Sequence, residues 1–347
     1  MTLVTRYAGL PRRVAWLILA ALLAMTALAA IFSGGIRVYG DPGKLPITDA
    51  GLYTMISDSV AKGEDYHVAA IRLQRLHNYP VQPSVTVRLP TLAWTQAALG
   101  SQGSKVAIVM LMAIAAFAWY RRLRSEVPFL LAACAALLIA FSAGPFVVKS
   151  LIKFHESWSS LLAAIALALW RPGRPLVAIG FALAAALVRE FAFPLLAMMC
   201  GAALLGKRWR EAGLWGAAMA VALAAYALHA AQVSALIGPG DAASSGWVGF
   251  GGWAMLAGSL HSGSILTALP ASLSCALFVL SLFGWASWKA ETGLWTFGWL
   301  LGMALMVAIF ARPDNFYWVV MLVPLLLAGL VFVPKAVTDL WVAARRR

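Results

Sequence analysis

Apolar runs too long and too numerous for buried helices of a soluble core constrain this chain before anything else does. Val14 to Phe32, Val127 to Val148 and Leu294 to Phe310 approach or exceed the roughly 20 residues that a helix needs to cross a bilayer, and similar runs recur from end to end. With 62% of its 347 residues hydrophobic and 12% charged, the sequence reads as an all-α protein, a polytopic transmembrane helix bundle.

The formal net charge of +14 would suggest nucleic acid in a soluble protein. Here the basic residues cluster at the ends of apolar runs, where membrane orientation and contact with lipid head groups account for them. Arg6, Arg12 and Arg13, then Arg121-Arg122-Leu123-Arg124, then Arg171 and Arg174, then Lys207, Arg208 and Arg210, then Lys289 and Arg345 to Arg347 fall on one side if the chain crosses about ten times. That side is expected to be cytoplasmic and to hold both termini. The count depends on Leu176 to Leu205, which is long for one span and short for two. Charge parity favours two short helices meeting outside at Val188-Arg189-Glu190. The apolar run after Arg13 is longer than a signal-peptide core, so an uncleaved first span is expected. No repeat marks a second unit, and residues 1–347 read as a single membrane domain with a first external loop over about 35–105. Cys134, Cys200 and Cys275 sit apart in apolar segments, expected as buried thiols without a disulfide.

Gly40 to Pro90 is the one long polar stretch. Thr48 suits an N-cap and Gly63 a stop, with Leu52, Met55, Ile56 and Val60 at helical spacing between them and Asp49 in the first turn. A short amphipathic helix is predicted over His67 to Leu76, fit to lie on a bilayer, before Asn78-Tyr79-Pro80 breaks it. The Gly- and Ser-rich connection from Gly238 to Gly263 is expected to be an outer loop.

On this topology Asp49, His155-Glu156, Arg189-Glu190, His261 and Arg312/Asp314 all lie on the outer face. Charges at bilayer depth are costly and usually pair or face a cavity, so one polar site at the outer mouth is expected. Lys149 and Lys153 read first as cations snorkelling to the surface. Arg189-Glu190, inside an apolar stretch, is either a functional site or a structural ion pair. Asp49 is either a base or a helix-end carboxylate held by the dipole. His155 beside Glu156 lacks metal-ligand spacing, and no metal is expected. GxSxG, P-loop and dinucleotide fingerprints are absent from the sequence, which argues against ATP-driven transport and common soluble enzyme chemistry.

The stretch Ile47-Thr48-Asp49-Ala50-Gly51-Leu52-Tyr53, followed by Ala61-Lys62-Gly63-Glu64-Asp65-Tyr66, resembles the D-x-x-x-Y and A-x-G-x-x-Y pattern of bacterial polyprenyl-phosphate mannosyltransferase-like members of the GT-C glycosyltransferases. The likeness is specific over about residues 36–90 and architectural elsewhere. It implies a GT-C-like fold in the bacterial inner membrane and inverting transfer of a sugar from a polyprenyl phosphate to a glycan or glycolipid acceptor on the periplasmic face, with no cofactor. The first-loop acid maps onto Asp49, and Tyr53 falls within the same motif. Glu156, Glu190 and Asp314 are alternatives for the family's second acidic position. Arg189, Arg312, Lys153 and His155 are candidates to hold the lipid phosphate, with Tyr53, His261 and Asp314 as further substrate-binding candidates at the same mouth. The rival reading is a lipid or polysaccharide flippase or transporter of envelope assembly, in which these charges line a pathway. A non-catalytic scaffold is a third.

Overall fold

A computed structural model describes Leu3 and residues 5–34, 47–148 and 151–346. Lys149 and much of the early part of the polar stretch lie outside them. Among the described residues there is helix and turn but no strand, only isolated bridges at Thr5–Trp288 and Gln82–Ala243.

In chain order the helices are α1 (Arg12–Ile31), α2 (Asp49–Ala61), α3 (Tyr66–Leu76), α4 (Thr91–Arg124), α5 (Phe129–Ala143), α6 (Pro145–Val148), α7 (His155–Leu169), α8 (Leu176–Val188), α9 (Phe193–Leu205), α10 (Trp209–Leu236), α11 (Gly252–Ser262), α12 (Ala271–Ser287), α13 (Glu291–Phe310) and α14 (Val333–Arg345). Six helical stretches are long and apolar enough to cross a membrane, and those over Leu176–Val188, Glu190–Leu205 and Ala271–Ser287 are apolar but shorter. Their outward faces stay apolar: Leu23 is 71% exposed and Leu205 81%. A surface of that kind is stable against lipid and not against water.

Small residues and tight approaches set the packing. α7 is buried along nearly its whole length, with Ala163, Ala164, Ala166 and Ala168 letting α4 and α8 come close. Trp119 of α4 donates its indole N–H to the Ala164 carbonyl at 2.9 Å. The last long stretch is wound not as an α-helix but as 3-10 helix over Pro313–Leu325 and Ala328–Phe332 and threads the core, with Val319 to Val323 almost fully buried. It crosses α12 at Gly284 and Gly329. A Cβ on Gly284 would stand 1.9 Å from the Gly329 carbonyl oxygen, so only glycine permits this contact.

Polar contacts gather in two groups. One joins Thr5 to Asp339, Arg6 to the Ala290 carbonyl, Arg122 to Glu126 and Thr292, and Trp170, Gly173 and Arg208 to Glu211. The other joins the loop helices to the last turn of α10 and the connection after it. There Arg75 grips Asp241 with two bonds of 2.7 Å and holds its carboxyl down at about 2, while Val81 and Gln82 donate to the Ala242 carbonyl.

The sequence reading of the loop and of the Arg189 break agrees with the structure. Thr48 caps α2 by accepting the Gly51 N–H at 3.3 Å, and α3 begins one residue before the predicted His67, capped by Asp65. α8 ends at Val188, Arg189 is extended, and a 3-10 turn at Glu190–Ala192 opens α9. Three expectations are corrected. Of the cysteines expected as buried thiols only Cys275 is buried, Cys200 is partly buried and Cys134 is exposed. The Gly238 to Gly263 connection is not all loop, because Ala257, Ser259 and Leu260 are small or apolar enough to bury α11. α4 starts at Thr91, inside the loop expected to run to about residue 105, and turns at Gly100, whose φ of 66° suits a residue without a Cβ.

Candidate functional site

Where the loop helices cap the bundle they line an open-mouthed cavity of about 1200 Å³. α2 presents Asp49 and, one turn on, Tyr53. The connection into α7 contributes Lys153 and His155, the end of α13 leads to Arg312 and Asp314, and Arg88 stands just before α4.

Asp49 sits at the start of α2, where unpaired backbone N–H groups favour a carboxylate. Its Oδ1 accepts the Tyr79 hydroxyl at 2.9 Å. Tyr79 is held as a neutral phenol, its pKa raised by burial and by the neighbouring Asp49 charge. Tyr53 is raised to about 12, chiefly by burial, with Arg88 opposing and Asp49 adding.

Arg88 is the central cation. Its Nε donates to the Tyr53 hydroxyl at 3.2 Å, Nη1 to the Val85 carbonyl at 3.2 Å and Nη2 to the Tyr317 hydroxyl at 3.4 Å, and Glu190 Oε1 is 3.9 Å from Nη1. The Tyr66 hydroxyl donates to the Arg88 carbonyl, fixing the backbone beneath it. Arg312 is paired with Asp314 at 3.3 Å and donates to the Gly246 carbonyl at 2.9 Å. The lining therefore offers a carboxylate on one helix and several cations around it, next to an aromatic wall of Phe154 and Tyr317 whose ring centroids are 5.0 Å apart.

Of the residues singled out in the sequence, Asp49, Tyr53, Lys153, His155, Arg312 and Asp314 meet in this cavity. Glu156, Arg189 and Glu190 stand outside its lining. Arg189 Nε bonds Glu156 Oε1 at 2.7 Å, both side chains being 1% exposed, and Nη1 bonds Glu190. Phe191 stacks 3.8 Å from the guanidinium. This is a buried ion triad that holds α7 against the α8–α9 break, and through Glu190 it reaches Arg88. His261, in the last turn of α11, does not line the cavity either; its carbonyl accepts the Thr267 hydroxyl. Sequence reading missed Arg88, Tyr79 and Tyr317. The one local signal was a charged residue immediately before Leu89-Pro90 and the apolar run that follows.

Compared with protein-family models, curated proteins and solved structures, the chain matches none.

Proposed function

We propose that this chain is an integral membrane glycosyltransferase that moves a sugar from a polyprenyl-phosphate donor to a glycan or glycolipid acceptor at the outer face of a bacterial inner membrane. The observation that carries this reading is the meeting of Asp49 with Arg88, Arg312 and Lys153 around one cavity where the loop helices cap the bundle. Asp49 takes the proton of the acceptor hydroxyl. The freed oxygen bonds to the anomeric carbon as that carbon's bond to the phosphate oxygen breaks, inverting the centre. The cations hold the polyprenyl phosphate that departs, since guanidinium groups match phosphate oxygens. No nucleotide or metal enters this scheme.

We infer also that the chain crosses about ten times, counting α8 and α9 as separate short passes and α11 as none. The first group of polar contacts returns after each pair of passes, at Thr5–Arg6, Arg122–Glu126, Trp170–Gly173, Arg208–Glu211, Ala290–Thr292 and Asp339, and that recurrence supports the count, as does the placing of the basic clusters in this group. Reconstituting the purified protein with a radiolabelled polyprenyl-phosphate sugar and envelope glycolipids tests the activity. Label appearing in the acceptor supports transfer. Label moved across the bilayer but still on its lipid supports the transporter reading instead.

A further inference from the structure

Sugar transfer, as just described, leaves two polar residues of the cavity lining without a task. His155 is 4% exposed, and neither ring nitrogen has a hydrogen-bond partner. Asn315 is 8% exposed, and its Oδ1 is likewise unpartnered. They arrive from distant parts of the chain, one opening α7 and the other in the 3-10 stretch after α13. Buried polar atoms in folded chains are nearly always satisfied, so two such side chains lining one cavity point to a ligand that satisfies them.

The donor and acceptor pattern identifies that ligand. Among the described residues no carboxylate lies within ion-pair distance of His155; its near neighbour is the Tyr53 ring, edge-on with centroids 5.0 Å apart. With nothing to stabilise a second proton, the imidazole offers one N–H and one lone pair. Asn315 adds a carbonyl oxygen and an NH₂ group. The phosphodiester of a lipid-linked sugar has only acceptors, so it would meet the N–H groups but leave the imidazole lone pair and the Asn315 carbonyl oxygen unpartnered. A hydroxyl both donates and accepts. The aromatic rings of Phe154, Tyr317 and Trp247 in the cavity lining suit the C–H faces of a sugar ring.

We propose that His155 and Asn315 form a hydroxyl-reading subsite that holds the sugar ring of the donor and selects among sugars, which rests on the transferase reading above. It removes His155 from the phosphate-holding group to which the sequence assigned it. Phosphate is left to Arg88, Arg312 and Lys153.

The test uses the full chain in nanodiscs, with farnesyl phosphate as one probe and farnesyl phosphates bearing mannose, glucose, galactose or arabinofuranose as the others. One sugar-bearing form should bind at least about tenfold tighter than bare farnesyl phosphate, the size of one or two hydrogen bonds. His155→Phe and Asn315→Leu should each bring that ratio toward one while the affinity for bare farnesyl phosphate stays unchanged. His155→Gln, which keeps a donor and an acceptor, should restore part of it, and it carries the test together with Asn315→Ser if the apolar variants do not fold. Equal weakening of both kinds of probe, or an unchanged ratio, overturns the subsite. Wild-type binding of farnesyl phosphate without any sugar preference overturns the subsite alone. Failure to bind any of the probes overturns the transferase reading with it.

Discussion

His67 of α3 and His229 of α10 meet across the join between the loop and the bundle, Nε2 of the first 3.0 Å from Nδ1 of the second. His229 Nε2 lies 2.9 Å from the Val87 carbonyl and must donate to it, so His229 Nδ1 is an acceptor and His67 Nε2 a donor. The pair is thereby a direct hydrogen bond between two neutral rings. A proton added to His229 Nδ1 would set two N–H groups against each other.

Acid should loosen this join. Burial lowers the His67 pKa first, the His229 charge adds to that, and Asp65, 4.0 Å from Nδ1, opposes it. Tyr66 meets His67 edge-on, Tyr226 meets His229 at a tilt, and as neutral phenols they bring no charge. The folded pKa lies below that of the unfolded chain, so stability is whole above about pH 6.5 and is lost as pH falls through that value toward the lowered one. The melting temperature in detergent should fall between pH 7 and pH 5, and His67→Gln should flatten the slope. An unchanged slope in the variant would show that this pair does not set the acid response.

Gly284 and Gly329 should tolerate no side chain. A Cβ on Gly329 would stand 2.2 Å from the Ser281 carbonyl oxygen, a backbone atom, and 2.7 Å from both Ser281 Oγ and the buried Trp285 ring. Alanine at either position must push α12 away from the Ala328–Phe332 stretch, at a cost of about 1–3 kcal/mol or more. Gly302, which has nothing within 4 Å, is the control and should accept alanine with little change in melting temperature.

What was legible in the sequence follows from how local its causes are. The Thr48 cap, the stop near Gly63 and the break at Arg189 are written in neighbouring residues, and the structure has them. The start of α4 was not legible, because Leu99-Gly-Ser-Gln-Gly-Ser reads as a linker although Gly100 only turns a helix there. Nor was the role of Arg88, whose partners Tyr53 and Tyr317 are 35 and 229 residues away in sequence. The two alternatives left open for Arg189 needed the position of Glu156, which lies 33 residues earlier and was offered as a possible acid in its own right.

Arg189 and Arg88 should respond oppositely to loss of charge. Arg189→Gln leaves Glu156 buried and uncompensated, a loss of about 3–5 kcal/mol of stability, while protein that survives keeps normal affinity for farnesyl phosphate. Arg88→Gln should weaken that affinity with a smaller fall in melting temperature, and Lys should rescue it only in part because it lacks the planar fork. Both quantities measured on both variants separate the roles. Lost donor affinity in folded Arg189→Gln would return Arg189 to the phosphate.

Topology is open to cysteine labelling in a background with Cys134, Cys200 and Cys275 replaced by serine. Lys62→Cys and Ala243→Cys, both exposed on the loop side, should react with an impermeant maleimide in intact spheroplasts. Ser125→Cys and Lys207→Cys, also exposed, should react only after permeabilisation. Labelling of Ser125→Cys from outside would invert the orientation. Labelling of Lys207→Cys from outside, with Ser125→Cys protected, would mean that α8 and α9 together cross once.

Asp49 should be the base, and magnitudes separate that role from a structural one. Thr48 already caps α2 through its hydroxyl, so the Asp49 charge adds only a dipole interaction of about 0.3–1 kcal/mol. Asp49→Asn keeps the size of the side chain and an oxygen to accept the Tyr79 hydroxyl, so folding and donor binding should persist. Turnover should fall on the order of 10²- to 10⁴-fold, the usual consequence of losing a positioned base. Single-turnover transfer with saturating donor reads this without interference from binding. If Asp49→Asn transfers at a near-normal rate, Asp49 only finishes a helix end. The base would then be sought at Asp314, which lines the same cavity, and not at Glu156, which Arg189 has already claimed.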